Sequence, residues 1–381
     1  MAKISCLYRH VLKIFQLFGY HCFTIDSNRN CRYWIVCWLI NVLCGIFLTI
    51  FIYCFQYSIL YSDSDLGYIV DFTKFVVNFG VYFCFLIESF YYRNVFIRLW
   101  SDLQIIENSV CKWITHWSRN EKEVLNEFWK IFFSFFTYLV FWDIFYALVI
   151  CPVIRSSNFT LIFLVIFSLT RLRQFLVLFY TKLIAYYLNI VKRQMHFIQS
   201  QSSALGVLDN LSYDIHLIKD ELRSVADVCA RLDQIVLTLN KIIGFSLFII
   251  KIREHAHLLT DSYWIIFRIL NGGFLRSLFL ILSLSSKYVC LVINFHAVEH
   301  LYDIRKSIQN ISNGINFAFQ NKSNFHWQTV ESYNYRIQWS RTMLSGYDMF
   351  GYSYSTMFEI CLSVLTSVAF LTQMADRTYE N

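Results

Sequence analysis

Long apolar stretches interrupted by short polar ones set the rhythm of this chain. They predict membrane-crossing helices at residues 34–60, 68–91, 128–150, 159–188, 235–250, 274–295 and 350–372, since about 20 apolar residues at 1.5 Å rise cover the ~30 Å hydrocarbon layer. The fifth stretch is the shortest: it has 16 residues, contains Lys241 and runs into the charged segment Lys251–His257. Residues 251–273 are therefore expected as a loop. Ahead of it, Leu208, Leu211, Ile215, Ile218, Leu222, Val225, Val228 and Leu232 recur three or four apart among charged residues, the pattern of an amphipathic helix. Val298–Ile311 follows the sixth stretch in the same way. The pattern predicts an all-α polytopic membrane protein with seven transmembrane helices. An N-terminal segment, 1–33, precedes one helical domain over 34–372, with helical extensions at about 190–235 and 295–349 and a short tail at 373–381.

Composition strengthens that reading. Hydrophobic residues make up 57% of the 381 positions and charged residues 15%, with a mean hydropathy of +0.45. A water-soluble fold would have too little polar surface to cover itself, so the surplus faces lipid. The net charge of +7 comes from scattered basic residues with no run among them, which argues against a nucleic-acid partner. Orientation is their role. Twenty Lys and Arg fall in residues 1–32, 93–127, 190–235 and 295–349, against five in the alternate segments. By the positive-inside rule the N-terminus is cytoplasmic and, with seven spans, the C-terminus is extracellular. Without the fifth span the balance is 19 against 6, so charge alone does not decide that span. The twelve cysteines include no CxxC pair and indicate neither a disulfide framework nor a zinc cluster. The first apolar segment is about twice the length of a signal-peptide core and lacks an Ala-x-Ala site, so it is expected to stay as the first span.

Several positions carry candidate chemistry. His296-Ala297-Val298-Glu299-His300 fits H-x-x-E-H, in which two histidines one turn apart bind zinc and the glutamate activates water. It lies just past the sixth span, and the sequence marks no third ligand, so no enzyme activity, metal or cofactor is expected from it. His255 and His257 point to different helix faces and read as exposed polar residues. Ionisable groups within spans say more, because each costs ~2.5–3.5 kcal/mol to insert. Asp71 and Lys74, three apart in the second span, can pair on one helix face. Asp143, beside Trp142 and Tyr146 in the third span, suits either a small polar ligand or an interhelical contact. Arg171, Arg173 and Lys182 in the fourth read as structural or snorkelling cations. In the last span Glu359, Leu362, Thr366, Phe370 and Gln373 fall on one stripe. Carboxylate, hydroxyl and amide beside bulky apolar groups suit a pore wall that replaces ion hydration and closes by dewetting. They suit a buried polar helix–helix contact equally.

The end of the chain carries a family likeness. Thr366-Ser367-Val368-Ala369-Phe370-Leu371-Thr372-Gln373-Met374 resembles the last-helix signature of insect gustatory receptors: Thr-Tyr, five mostly apolar residues, then Gln-Phe. Thr366 and Gln373 match in identity and spacing, whereas Ser367 and Met374 depart from the Tyr and Phe. Phe350 resembles the phenylalanine of the Gly-x-Phe that opens this helix in the family, with Asp348 in place of the glycine. The resemblance implies a seven-helix plasma-membrane subunit, expected in a sensory neuron, that forms a homo- or hetero-tetramer with related receptors in membrane lipid. The last helix would line a central cation pore, with Gln373 at the narrow outer part, Phe370 as the hydrophobic gate and Thr366 deeper. Apart from the likeness, the position of Glu359 on the same stripe would add an acidic ring near the inner mouth. A small-molecule tastant would bind in the outer half of the second to sixth helices, where Asp143, Trp142, Tyr146, Asp71, Lys74, Asn78 and Tyr82 lie. The function implied is a ligand-gated, non-selective cation channel; the alternative is a seven-helix receptor that signals through a partner protein. A G-protein-coupled receptor would place its C-terminus inside and usually carry proline kinks, yet the only proline is Pro152. The Gly- or Pro-broken helices of a secondary transporter are not visible either.

Overall fold

The computed structural model describes residues 4–22, 32–55, 65–114, 157–207, 212–270, 274–319, 345–346, 350–351 and 353–379, with single positions between 126 and 145 and between 331 and 335. Most of the expected third span, including Asp143 and Tyr146, lies outside the described residues. The rest is helical: α1 (Ile4–Leu17), α2 (Arg32–Cys54), α3 (Asp65–Tyr91), α4 (Arg93–Ile114), α5 (Ser157–Val207), α6 (Ser212–Leu270), α7 (Phe274–Phe319) and α8 (Tyr354–Tyr379). A two-residue antiparallel pair, β1 (Ser345–Gly346) with β2 (Phe350–Gly351), comes just before α8. Phe350, expected to open the last helix, therefore sits in β2. At the other end, the tail expected from 373 continues α8 as far as Tyr379.

Burial separates the helix that faces outward from the helix at the centre. α2 is apolar all round, with a mean hydropathy of 2.6, and only 11% of its span is buried in the protein. Leu39, Leu43, Phe47 and Ile50 are exposed along it, as lipid-facing residues are. The apolar part of α5 is 83% buried and forms the axis of the bundle, with α7 and α6 packed along it. Among the described residues, four helices are long and apolar enough to cross a membrane, and Ser355–Phe370 is a shorter apolar helix.

Helices α5, α6 and α7 have 51, 59 and 46 residues, roughly 70–90 Å each and more than twice the hydrocarbon thickness. Within the described residues, helix continues from the spans through Val207 in α5, from Ser212 in α6 and to Phe319 in α7. Ile218, Leu222, Val225, Val228 and Leu232, picked out by their periodicity, are all buried. Leu301, Ile304, Ile308, Ile311 and Ile315 of α7 join the same apolar cluster. In α4, Phe96, Leu99, Leu103, Ile106 and Val110 repeat at three and four and are buried as well.

The fifth span differs from expectation. Helix α6 does not stop at 250; it runs without a break to Leu270, through the charged segment expected as a loop. The physical reason is that Arg253, Glu254, His257 and Asp261 are buried and have partners on neighbouring helices, so their charge does not require water.

The N-terminal segment docks on the bundle. α1 buries Val11, Leu12 and Phe15 and ends at Gly19, whose φ of 74° only glycine adopts readily. The Tyr20 amide donates to the Phe15 carbonyl and the Gly19 amide to that of Gln16, a Schellman cap. This turn brings Tyr20 into the core, where its hydroxyl donates to the Leu169 carbonyl at 2.5 Å. His21 is fully buried beside it, with Nε2 3.2 Å from the Tyr180 hydroxyl.

Candidate functional site

Helices α3 and α6 run antiparallel and meet through a ladder of buried polar side chains. On α3 these are Asp71, Lys74 and Asn78; on α6 they are His257, Asp261 and Trp264. Spacings of three and four keep each set on one helix face. Each turn down α3 meets the next turn back along α6. The Trp264 indole N–H donates to Asp71 at 3.2 Å, Lys74 donates to Asp261 at 2.5 Å, and His257 Nε2 donates to Asn78 Oδ1 at 3.0 Å. Arg253 Nε reaches the same Asn78 oxygen at 3.0 Å. Farther along, Glu88 of α3 accepts from the Ser246 hydroxyl and from Arg173 of α5, at 2.7 Å for the arginine.

Two more helices join this ladder. Lys287 of α7 donates to the second Asp261 oxygen, so one carboxylate holds ammonium groups from α3 and α7. Gln174 of α5 donates to Glu254 at 2.7 Å, and Arg253 pairs with the same carboxylate at 2.8 Å. The arrangement follows from what a bilayer interior permits: a charge persists there only with a counter-charge or hydrogen-bond partner at hand. Chemically, it offers carboxylates, ammonium groups, an amide and an imidazole side by side between helices.

The expected site residues fall into three groups. Asp71, Lys74 and Asn78 come together on the ladder with partners on α6. Lys74 pairs with Asp261, across to a neighbouring helix. Tyr82 turns instead toward α2, where its hydroxyl donates to the Asn41 carbonyl at 3.3 Å. Trp142 is half-buried, stacked on Tyr138 with ring centroids 6.3 Å apart. In the last helix Glu359, Leu362, Thr366 and Phe370 are exposed, while Thr356, Ile360 and Val364 are buried against the bundle. Thr366 Oγ1 donates to the Leu362 carbonyl at 2.9 Å, at an exposed position. Gln373 lies on α8, but its side chain is outside the described set.

Other readings change. His257 is buried at 1% exposure, not an exposed polar residue. Arg173 does not snorkel: it is fully buried, paired with Glu88 and set over the rings of Tyr20 and Phe85. His296 and His300 are exposed on α7 with ring centroids 6.5 Å apart. Partial desolvation of its ring against the helix and then the Lys182 ammonium hold His300 below its ordinary range, and that same cation would repel a metal ion. Among the described residues no group of three His, Cys, Asp or Glu could hold a metal. Sequence reasoning missed Arg253, Glu254, Asp261, Trp264 and Lys287. The usable signal was the interval of four, four and three from Arg253 through His257 and Asp261 to Trp264, which marks one helix face where a charged loop was expected.

Comparison with known proteins supplies the family. The model described as 7tm chemosensory receptor matches residues 8–376. Curated protein sequences give no match. Among solved structures, the insect olfactory receptor OR5 from Machilis hrabei in complex with eugenol is similar at a TM-score of 0.66 and 12% identity, over 97% of this chain and 98% of that one. The structure titled without eugenol is similar at 0.64 and 12%, over 97% and 99%. Such identity conveys the fold alone, a bundle of seven membrane-spanning helices. With the family model covering nearly the whole length, the chain belongs to the 7tm chemosensory receptor family.

Proposed function

We propose that this receptor is of the gustatory type and works as a ligand-gated, non-selective cation channel subunit. It sits in the plasma membrane as a homo- or hetero-tetramer, N-terminus cytoplasmic and C-terminus extracellular. The observation that supports this best is the two-sidedness of α8. Ile360 and Val364 pack inward, and the stripe of Glu359, Leu362, Thr366 and Phe370 is left uncovered by its own bundle. A carboxylate turned to lipid would cost ~2.5–3.5 kcal/mol. A water-filled conduit shared between subunits removes that cost and gives each residue a task. Gln373 lines the narrow outer part, Phe370 closes the conduit by dewetting, Thr366 coordinates deeper, and four copies of Glu359 concentrate cations at the inner mouth. Thr366 and Gln373 at the spacing of the gustatory signature favour taste over smell.

The tastant binds among the second to sixth spans, where Asp71, Lys74 and Asn78 lie on the polar ladder and Trp142, Asp143 and Tyr146 belong to the third span. A receptor of the same fold, solved with eugenol, supports a small organic ligand as the class. Binding must stabilise the open arrangement more than the closed one, or it cannot gate. The test is expression in an otherwise silent cell, with membrane current recorded against a tastant panel and terminal tags probed on intact cells. Tastant-evoked cation current with only the C-terminal tag accessible is expected. A tastant response carried entirely by a downstream second messenger, with no current of its own, would favour signalling through a partner protein.

A further inference from the structure

We infer that the ligand taken between α3 and α6 is a neutral, polyhydroxylated small molecule, and not an apolar odorant or an organic ion. The inference rests on the receptor reading above, and it follows from the chemistry of the ladder. A molecule seated between these helices must take over some of the bonds the ladder makes to itself. Those bonds are of both kinds: Lys74, Lys287, Arg253, His257 and the Trp264 indole donate, while Asp71, Asp261, Glu254 and the Asn78 carbonyl oxygen accept. Every separated pair needs a replacement donor for one member and a replacement acceptor for the other. An apolar ligand supplies neither, and each buried polar group left without a partner is strongly penalised.

A singly charged organic ion supplies half. A carboxylate accepts and cannot donate, and an ammonium donates and cannot accept. Either would also bring an added charge into a place where opposite charges already face one another, Lys74 and Lys287 on Asp261 and Arg253 on Glu254. A hydroxyl donates and accepts through one oxygen without net charge. It can therefore slip between an ammonium and a carboxylate and satisfy both. Several hydroxyls on one small frame could do this at successive rungs, since the contacts with Asp71, Lys74 and Asn78 follow one another at intervals of three and four residues. The ring of Trp264, buried at that end of the ladder, provides apolar surface for the carbon face of such a molecule.

The experiment uses three millimolar probe sets on the full chain: mono- and disaccharides with sugar alcohols, then eugenol and similar apolar aromatics, then organic carboxylates and amines. Binding is read as a thermal shift of detergent-purified receptor, and gating as whole-cell current. Asn78→Leu and the milder His257→Gln serve as variants, each checked for surface protein. The polyhydroxylated set should shift the melting of the unmodified chain, and at least one variant should weaken that response about tenfold, as loss of one buried hydrogen bond does. A polyol-induced shift without current upholds the ligand class and counts against the channel. Current or shift only with the aromatic or ionic set upholds a receptor and overturns the ligand class. No shift with any polyhydroxylated probe, or a shift undiminished in both variants, overturns it too.

Discussion

Replacing Asp261 with asparagine tests the ladder most severely. The change keeps shape and removes the charge that Lys74 of α3 and Lys287 of α7 share. Asp71 lies one turn along α3 and remains near Lys74, so the loss is governed mainly by Lys287, which is 4% exposed. A buried ammonium deprived of its counter-ion can always shed its proton. Starting from an ordinary lysine value near 10.4, that costs about 4 kcal/mol at pH 7.4. This sets a ceiling, and it agrees with the ~3–5 kcal/mol for breaking one side of a buried pair. Lys287→Met removes the ammonium instead and leaves Lys74 matched one-to-one with Asp261. The interhelical hydrogen bond to Asp261 is lost, about 0.6–1.7 kcal/mol in a membrane bundle. The double variant removes the group that the single Asp261→Asn strands, so it should be no worse than that single variant, and the couplings are non-additive. Surface yield and melting of detergent-purified protein by size-exclusion give the ranking. Asp261→Asn should be clearly the weakest, Lys287→Met close to the unmodified chain, and the double variant between them. Equal losses for the two single variants, or additive losses in the double, would refute the account of Asp261 as a shared counter-ion.

Three further outcomes follow. Exchanging Gln373 for lysine should reduce cation current without loss of surface protein, and unchanged conductance and selectivity would remove Gln373 from the pore. Glu359→Gln should lower cation conductance most at low ionic strength, where a charged ring is least screened; conductance that is insensitive to salt and mutation would deny the ring. Gly45→Leu should lower surface yield, because even a Cβ there would come within 3.0 Å of ring carbons of both Tyr82 and Phe83, and overpacking of this sort costs ~1–3 kcal/mol. Normal yield would show that α2 can move off α3.

What the sequence reveals here depends on whether a residue's environment is local. Lipid-facing α2 is plain to read because every face is apolar, and the extensions of α6 and α7 are legible because one stripe repeats at three and four. The extent of α6 past Ile250 was hidden. Hydropathy treats Arg253, His257 and Asp261 as solvent-seeking, and it cannot see that Asn78 and Lys74, some 180 residues earlier, await them. Lys74 offers the same lesson: Asp71 is the near candidate in sequence, and the pairing with Asp261, on another helix, is out of reach of local spacing. The stripe on α8 was visible by helical spacing, and the structure adds that Ile360 and Val364, not the stripe, are the face used by the bundle.

The claim on which the functional account turns is that the uncovered face of α8 borders water shared between subunits. Cysteine substitution along α8, in a background with Cys361 replaced, with a charged thiol reagent applied during current recording, tests it directly. Cysteines at Glu359, Thr366 and Phe370 should be modified in the open state and block the current, while those at Ile360 and Val364 stay inert. Modification of Ile360 and Val364 with Thr366 and Phe370 inert would contradict it.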